Sequence, residues 1–259
     1  GPHPMTGQGD TRAQAASVGA VGPAAAKPVQ LVLDLPHLVS SGLDDFLISQ
    51  SNASAAGLID CWPNWPNSAV AICGPPGAGK SHLAQALSVR SGASTIRGDC
   101  LSESSIAVLE NSPGLIVEDI DHGIASERVL FHILNVARER GLFVLVTSKA
   151  APGEIDIALP DLRSRLRALP VALIEPPDDP LLQAVLVKLF TDRQLSIDPQ
   201  VISYMARHME RSMAAARGVV AAADQLALSK QRKVTRAIAA QALALVSGHS
   251  DEGGEQDEV

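Results

Sequence analysis

The stretch Ala69-Val-Ala-Ile-Cys73-Gly74-Pro75-Pro76-Gly77-Ala78-Gly79-Lys80-Ser81 decides the fold. Its first five residues are apolar, with β-branched Val70 and Ile72, and predict a buried strand. The next eight match G-x-x-x-x-G-K-[ST] in full. Ser81 to Val89 is amphipathic and predicts a helix. Strand, glycine-rich loop and helix in that order are what a phosphate loop needs. The glycines let backbone N–H groups turn toward a β-phosphate, and the helix N-terminus adds partial positive charge. Lys80 supplies a point charge to β- and γ-phosphates, and the Ser81 hydroxyl supplies a ligand to Mg²⁺. Gly74, Pro75, Pro76, Gly77, Ala78, Gly79, Lys80, Ser81 and His82 are therefore the expected nucleotide-binding run, for ADP or ATP.

Working outward, apolar runs recur at Gly114 to Ile120, Leu142 to Thr147 and Val171 to Ile174, with helical patterns between most of them. Strands alternating with helices predict an α/β domain with a parallel sheet. After Pro180 the strands stop. Leu182, Val185, Leu186, Leu189 and Phe190 fall on one helical face, and similar spacings follow at Ile202 to Met209, Met213 to Ala227 and Thr235 to Val246. The chain is thus expected to hold an α/β nucleotide-binding domain over 38–178 and a small all-helical lid over 179–247. A nucleotide site of this type needs acids at the tip of a neighbouring strand. Leu115-Ile-Val-Glu118-Asp119 supplies them, Glu118 as a second Mg²⁺ ligand beside Ser81 and Asp119 as the catalytic acid. The longer side chain precedes the shorter, a reversed order that is expected to make intrinsic hydrolysis slow.

Composition bounds the rest. Apolar residues make up 46% of 259, enough for a sizeable core. No run reaches the roughly 18 apolar residues that a membrane helix needs. Three cysteines without CxxC spacing argue against a disulfide scaffold or zinc ribbon and fit a cytoplasmic setting. Of the net charge of −7, five belong to the acidic stretch Ser250 to Val259, so the remainder is close to neutral. That balance argues against strong direct DNA binding unless charge clusters on one face. Gly1 to Pro4 read as an expression remnant before Met5, residues 1–28 as a disordered leader and 248–259 as a disordered acidic tail.

These residues resemble the AAA+ ATPases, specifically their DnaA-related branch, over about residues 30 to 247. Asp45-Phe46-Leu47-Ile48-Ser-Gln-Ser-Asn52-Ala resembles the segment that lines the adenine, which implies contacts from Phe46, Leu47, Ile48 and Asn52. Thr147-Ser148 lies where the family keeps its polar sensor 1 residue. Leu159-Pro-Asp-Leu-Arg-Ser-Arg165-Leu resembles the box ending in an arginine finger, with Arg165 as the finger. Arg211 lies where the family has its sensor 2 arginine. DnaA itself carries a helix-turn-helix domain after the lid, whereas here a short tail follows Val246. An AAA+ core of that kind looks like the Hda/HdaA group of regulatory inactivators of DnaA. Members of that group bind the β sliding clamp of DNA polymerase III through a short N-terminal peptide. Gln30-Leu31-Val-Leu33-Asp-Leu35-Pro36, within residues 29–37, resembles it. Gln30, Leu31, Leu33 and Leu35 would fill a groove in extended form; the alternative is a packing strap of the core.

The resemblance implies a regulator that, with the DNA-loaded clamp, stimulates ATP hydrolysis by DnaA through Arg165 acting in trans, with homo-oligomers possible. The competing reading is a helicase-loader or clamp-loader-like ATPase working by its own turnover. A DNA-binding initiator is a third, disfavoured by the charge balance.

Overall fold

The computed structural model describes residues 46–250. The expected clamp peptide, the leader and the acidic tail beyond Ser250 lie outside the described residues. Strands β1 (Ala69–Cys73), β2 (Ser94–Arg97), β3 (Gly114–Glu118), β4 (Phe143–Ser148) and β5 (Val171–Leu173) form one sheet in the order β2-β3-β4-β1-β5. All four pairings are parallel. Between the strands run α1 (Ala53–Asp60, before β1), α2 (Lys80–Ser91), α3 (Glu103–Glu110), α4 (Glu127–Arg140) and α5 (Pro160–Arg167).

β1 is buried at every position, as a strand covered on both faces must be. Val70 and Ile72 point into a core with α1 and α2, where Ile59, Leu83 and Leu87 are fully buried. Ala71 and Cys73 point into the opposite core, with Leu130, Ile133 and Leu162 of α4 and α5. The order places β1 between β4 and β5, so the strand from whose C-terminal tip the phosphate loop begins is flanked on both sides. β2 carries no apolar run; Ser94, Thr95 and Arg97 are exposed, as an edge strand permits.

Past β5, four helices form a separate core: α6 (Asp179–Asp192), α7 (Pro199–His208), α8 (Met213–Ser229) and α9 (Arg236–Ser250). Asp178, Asp198 and Ser212 each accept a first-turn amide at the starts of α6, α7 and α8. Pro180 is the second residue of α6 and Pro199 the first of α7, both in a first turn, where a missing N–H costs nothing. Thr235 receives the Ile238 N–H, and α9 continues four residues past Val246. No helix among the described residues is long and apolar enough to cross a membrane.

Candidate functional site

The loop after β1 is shaped by glycines that cannot be replaced freely. Gly77 (φ 73°) and Gly79 (φ 111°) occupy left-handed backbone, and a Cβ on Gly74 would lie 2.5 Å from the Ile174 carbonyl oxygen. Gly79 precedes α2 without a side-chain cap, which leaves first-turn amides for an anion. Lys80 is 8% exposed and donates to the carbonyls of Gly74 (2.7 Å) and Pro75 (3.1 Å). Burial pushes its ammonium below the usual lysine range, opposed by the nearby Asp119 and Asp121 carboxylates. The same burial pushes the Cys73 thiol up.

The acidic turn is held from the neighbouring strand. Asp119 has φ 53°, an uncommon conformation for a non-glycine residue, and its N–H donates to Thr147 Oγ1 at 3.1 Å. Asp121 Oδ1 accepts the Lys149 N–H at 2.9 Å. Thr147 and Ser148 are fully buried, and the Ser148 hydroxyl donates to the Ala150 carbonyl. Glu118 Oε1 is buried with no hydrogen-bond partner among the described residues. The orphaned Glu118 oxygen and the hydroxyl of Ser81, a cleft-lining residue, are both hard oxygen donors of the kind that Mg²⁺ takes, one or two from protein with phosphates and water completing its shell.

These elements line a cleft of about 640 Å³, within the range of small-molecule sites. Its floor is Pro76, Gly77, Gly79, Lys80, Ser81 and His82, and one wall is Asp119, Asp121, His122 and Lys149. Phe46 and Leu47 close one end, with the Phe46 ring 5.4 Å from that of His82. The roof is helical: Val185, Lys188, Leu189 and Asp192 of α6, and Met213, Ala214 and Arg217 of α8. A main-chain bond from Met213 N–H to the Gly77 carbonyl (2.8 Å) joins roof to floor.

Several expected residues stand behind this lining. Asn52, 1% exposed, donates to the Leu47 carbonyl and accepts the Ser49 N–H, both at 2.9 Å, so it shapes the turn that presents Phe46 and Leu47. Ile48 packs into the core. Gly74, Pro75, Ala78, Glu118, Thr147 and Ser148 are likewise not among the lining residues.

Arg211 is a correction. Its guanidinium donates to Asp179 Oδ1 (2.6 Å) and the Pro177 carbonyl (3.2 Å), away from the cleft lining. The arginine that does reach the cleft from the roof is Arg217. Its signal in the sequence is that it is the only cation in the alanine-rich helix Met213–Ser229. Lys149, Lys188 and His122 also line the cleft without having been expected there.

Arg165 lies on α5, which contributes nothing to the cleft. Its guanidinium donates to Asn135 Oδ1 at 2.8 Å and covers the Phe131 ring at 5.8 Å. Arg163 grips the Ile157 carbonyl with two donors (2.9 and 2.6 Å), and Glu127 accepts the N–H groups of Ala158 and Leu159.

No protein-family model matches the chain. Over 132 residues it is 26% identical to the chromosomal replication initiator protein DnaA of Thermomicrobium roseum, covering 50% of this chain and 28% of that protein. The chain thus spans about a quarter of that relative's length. The solved domain III of Thermotoga maritima DnaA superposes with a TM-score of 0.69 at 18% identity, over 81% of this chain and 98% of that one. The chain has the AAA+ fold and is similar in sequence to DnaA over half of its length. The AMPPCP-bound structure of DnaA from Aquifex aeolicus also superposes on the AAA+ fold, with a TM-score of 0.61 at 16% identity over 73% of this chain and 68% of that one. In AAA+ terms the five-stranded parallel sheet is the core, and α6 to α9 are the lid over its phosphate loop.

Proposed function

We propose that this chain binds an adenine nucleotide between sheet and lid and acts in the control of replication initiation as a regulator of DnaA. The observation that carries the reading is the cleft itself: Lys80 and the open α2 N-terminus face Arg217 across one cavity, with Asp119 alongside. Phe46 and Leu47 offer an apolar end for the base, and Lys80 and Arg217 take the phosphates. Ser81 and Glu118 would be the residues to hold Mg²⁺, whose chemistry when bound is to neutralise phosphate charge. The relatives' nucleotide and their role in replication support the assignment.

The finer reading is that the protein engages the DNA-loaded sliding clamp through Gln30, Leu31, Leu33 and Leu35, and contacts DnaA. Arg165 then enters the DnaA site, where an arginine supplied in trans raises hydrolysis by a factor on the order of 10³–10⁵. Its position outside its own chain's cleft, held by Asn135 and Phe131 among the described residues, supports that use. ATP turnover by DnaA, measured with this protein, clamp and DNA together and with each left out, tests it. Stimulation only with all present is expected, and lost when Gln30, Leu31 and Leu33 become alanine. A second reading, turnover by the chain itself, draws on Asp119 facing the cleft. Hydrolysis by this protein alone that DnaA and clamp leave unchanged would favour it and sink the regulator.

A further inference from the structure

Charge is spread unevenly over this acidic chain. The whole sequence is −7, yet Asp179 to Ser250 holds nine Lys and Arg against five Asp and Glu, so the lid is positive. Four of those nine cations, Lys230, Arg232, Lys233 and Arg236, fall within seven residues that contain no acid. The stretch is the turn from α8 to α9, and all four side chains are exposed. A solvated turn needs no such density, because like charges this close repel.

Part of the cluster is fixed in place. The Arg236 guanidinium stacks 4.6 Å from the ring centroid of Tyr204, the chain's single tyrosine. Tyr204 in turn lies 4.4 Å from the His208 ring, whose Nδ1 is 2.8 Å from the Tyr204 carbonyl oxygen. Stacking holds the guanidinium plane and leaves its N–H edge free; no acceptor among the described residues takes it. A cation held in this way loses less freedom when it meets an anion. Arg236 shares a shallow groove with Lys233, floored by Ser196, Ile197 and Asp198. The Asp198 carboxylate there is committed to the Gln200 N–H at 2.7 Å, capping α7. Nor is this the nucleotide cleft. Met213 and Lys230 are 17 helical steps apart, about 25 Å at 1.5 Å each.

We propose that the α8–α9 turn binds the phosphate backbone of double-stranded DNA without reading its sequence. Cations alone suffice for that contact. Proteins that hold single strands add open aromatic faces for the bases, and the one aromatic face here is already covered by Arg236. The proposal stands apart from the nucleotide reading and survives its failure.

Three phosphates met by Arg232, Lys233 and Arg236 set a log–log salt slope of about −2.7, an affinity loss of about 40-fold between 50 and 200 mM salt. The test uses the full chain and fluorescence anisotropy with two 30-base-pair duplexes of unrelated sequence and one 30-nucleotide single strand. Both duplexes should bind within twofold of each other and more tightly than the single strand. The double variant Lys233→Glu/Arg236→Glu should lose more than tenfold, with the slope shallower by about 1.8. Tyr204→Phe, which keeps the ring, should stay within twofold of the parent. Arg128→Glu/Arg138→Glu, an equal charge change on α4, should also stay within twofold. Circular dichroism and melting of each variant check folding. The proposal is overturned if the lid reversal leaves duplex affinity intact, if the α4 reversal costs as much, or if the single strand binds better.

Discussion

Replacing Arg217 by alanine separates two arginines that sequence spacing places only six residues apart. Arg217 faces the cleft from α8 opposite Lys80, and in the nucleotide complex its partner is a phosphate oxygen. A charge-assisted hydrogen bond contributes about 1.5–3 kcal/mol. Arg217 is exposed, so the lower half of that range applies, and the expected loss in ATP affinity is about 12- to 40-fold. Arg211 holds Asp179 at 2.6 Å, but the two side chains are 51% and 47% exposed. Solvent screens such a pair to about 0–1 kcal/mol of stability, and its loss should leave ATP affinity within twofold. Calorimetric titration of both alanine variants with ATP and with adenosine measures the difference. Arg217→Ala should weaken ATP while leaving adenosine unchanged, because only the phosphates meet the guanidinium. An Arg217→Ala protein that binds ATP like the parent, with Arg211→Ala the damaged one, would refute the assignment.

Lys80→Ala should lower ATP and ADP affinity by at least about 30-fold, with competition against a fluorescent nucleotide as the readout. Gly77→Val forces a β-branched residue into φ 73° and sets a Cβ 3.2 Å from that of Ser212. It should cost about 2–3 kcal/mol, seen as a lower Tm and faster cleavage between core and lid by protease. Arg163→Ala removes both donors to the Ile157 carbonyl, so its Tm should fall by several degrees, about 1–2 kcal/mol at this size. Arg165→Ala should hold its Tm within about one degree and bind nucleotide normally, yet no longer stimulate DnaA; equal loss from an Arg167→Ala control would count against the finger.

Much of this architecture was legible because its strands are buried on both faces. Ala69–Cys73, Gly114–Glu118 and Phe143–Ser148 are runs of apolar residues that only a covered parallel sheet accommodates. β2 escaped that reasoning because an edge strand with three exposed residues has no hydrophobic pattern to read. The phosphate loop was legible because its glycines answer backbone demands, at φ 73° and 111°, that no other residue meets easily. The lid arginine was not: spacing along a chain does not say that Arg211 falls in the turn before α8, bonded to Asp179, while Arg217 stands on the helix itself, whose packing against α6 and α9 turns it to the cleft. Asn52 belongs to the same lesson. Its amide is spent on the Leu47 and Ser49 main chain, a local hydrogen-bonded turn that a polar residue near a binding segment does not announce.

The bond from the Met213 amide to the Gly77 carbonyl makes the lid sensitive to length more than to chemistry. Any residue but proline can supply that amide, so substitution at 213 spares it. Arg217 follows four residues later and returns to nearly the same side of α8, since each residue turns the helix by about 100°. One residue inserted between 213 and 217 would swing Arg217 about a quarter-turn or more off the nucleotide while leaving every side chain chemically intact. Deletions in this short stretch would do the same in the other sense. Scanning should therefore find point changes at 213 and 214 accepted and single-residue insertions or deletions between 213 and 217 refused.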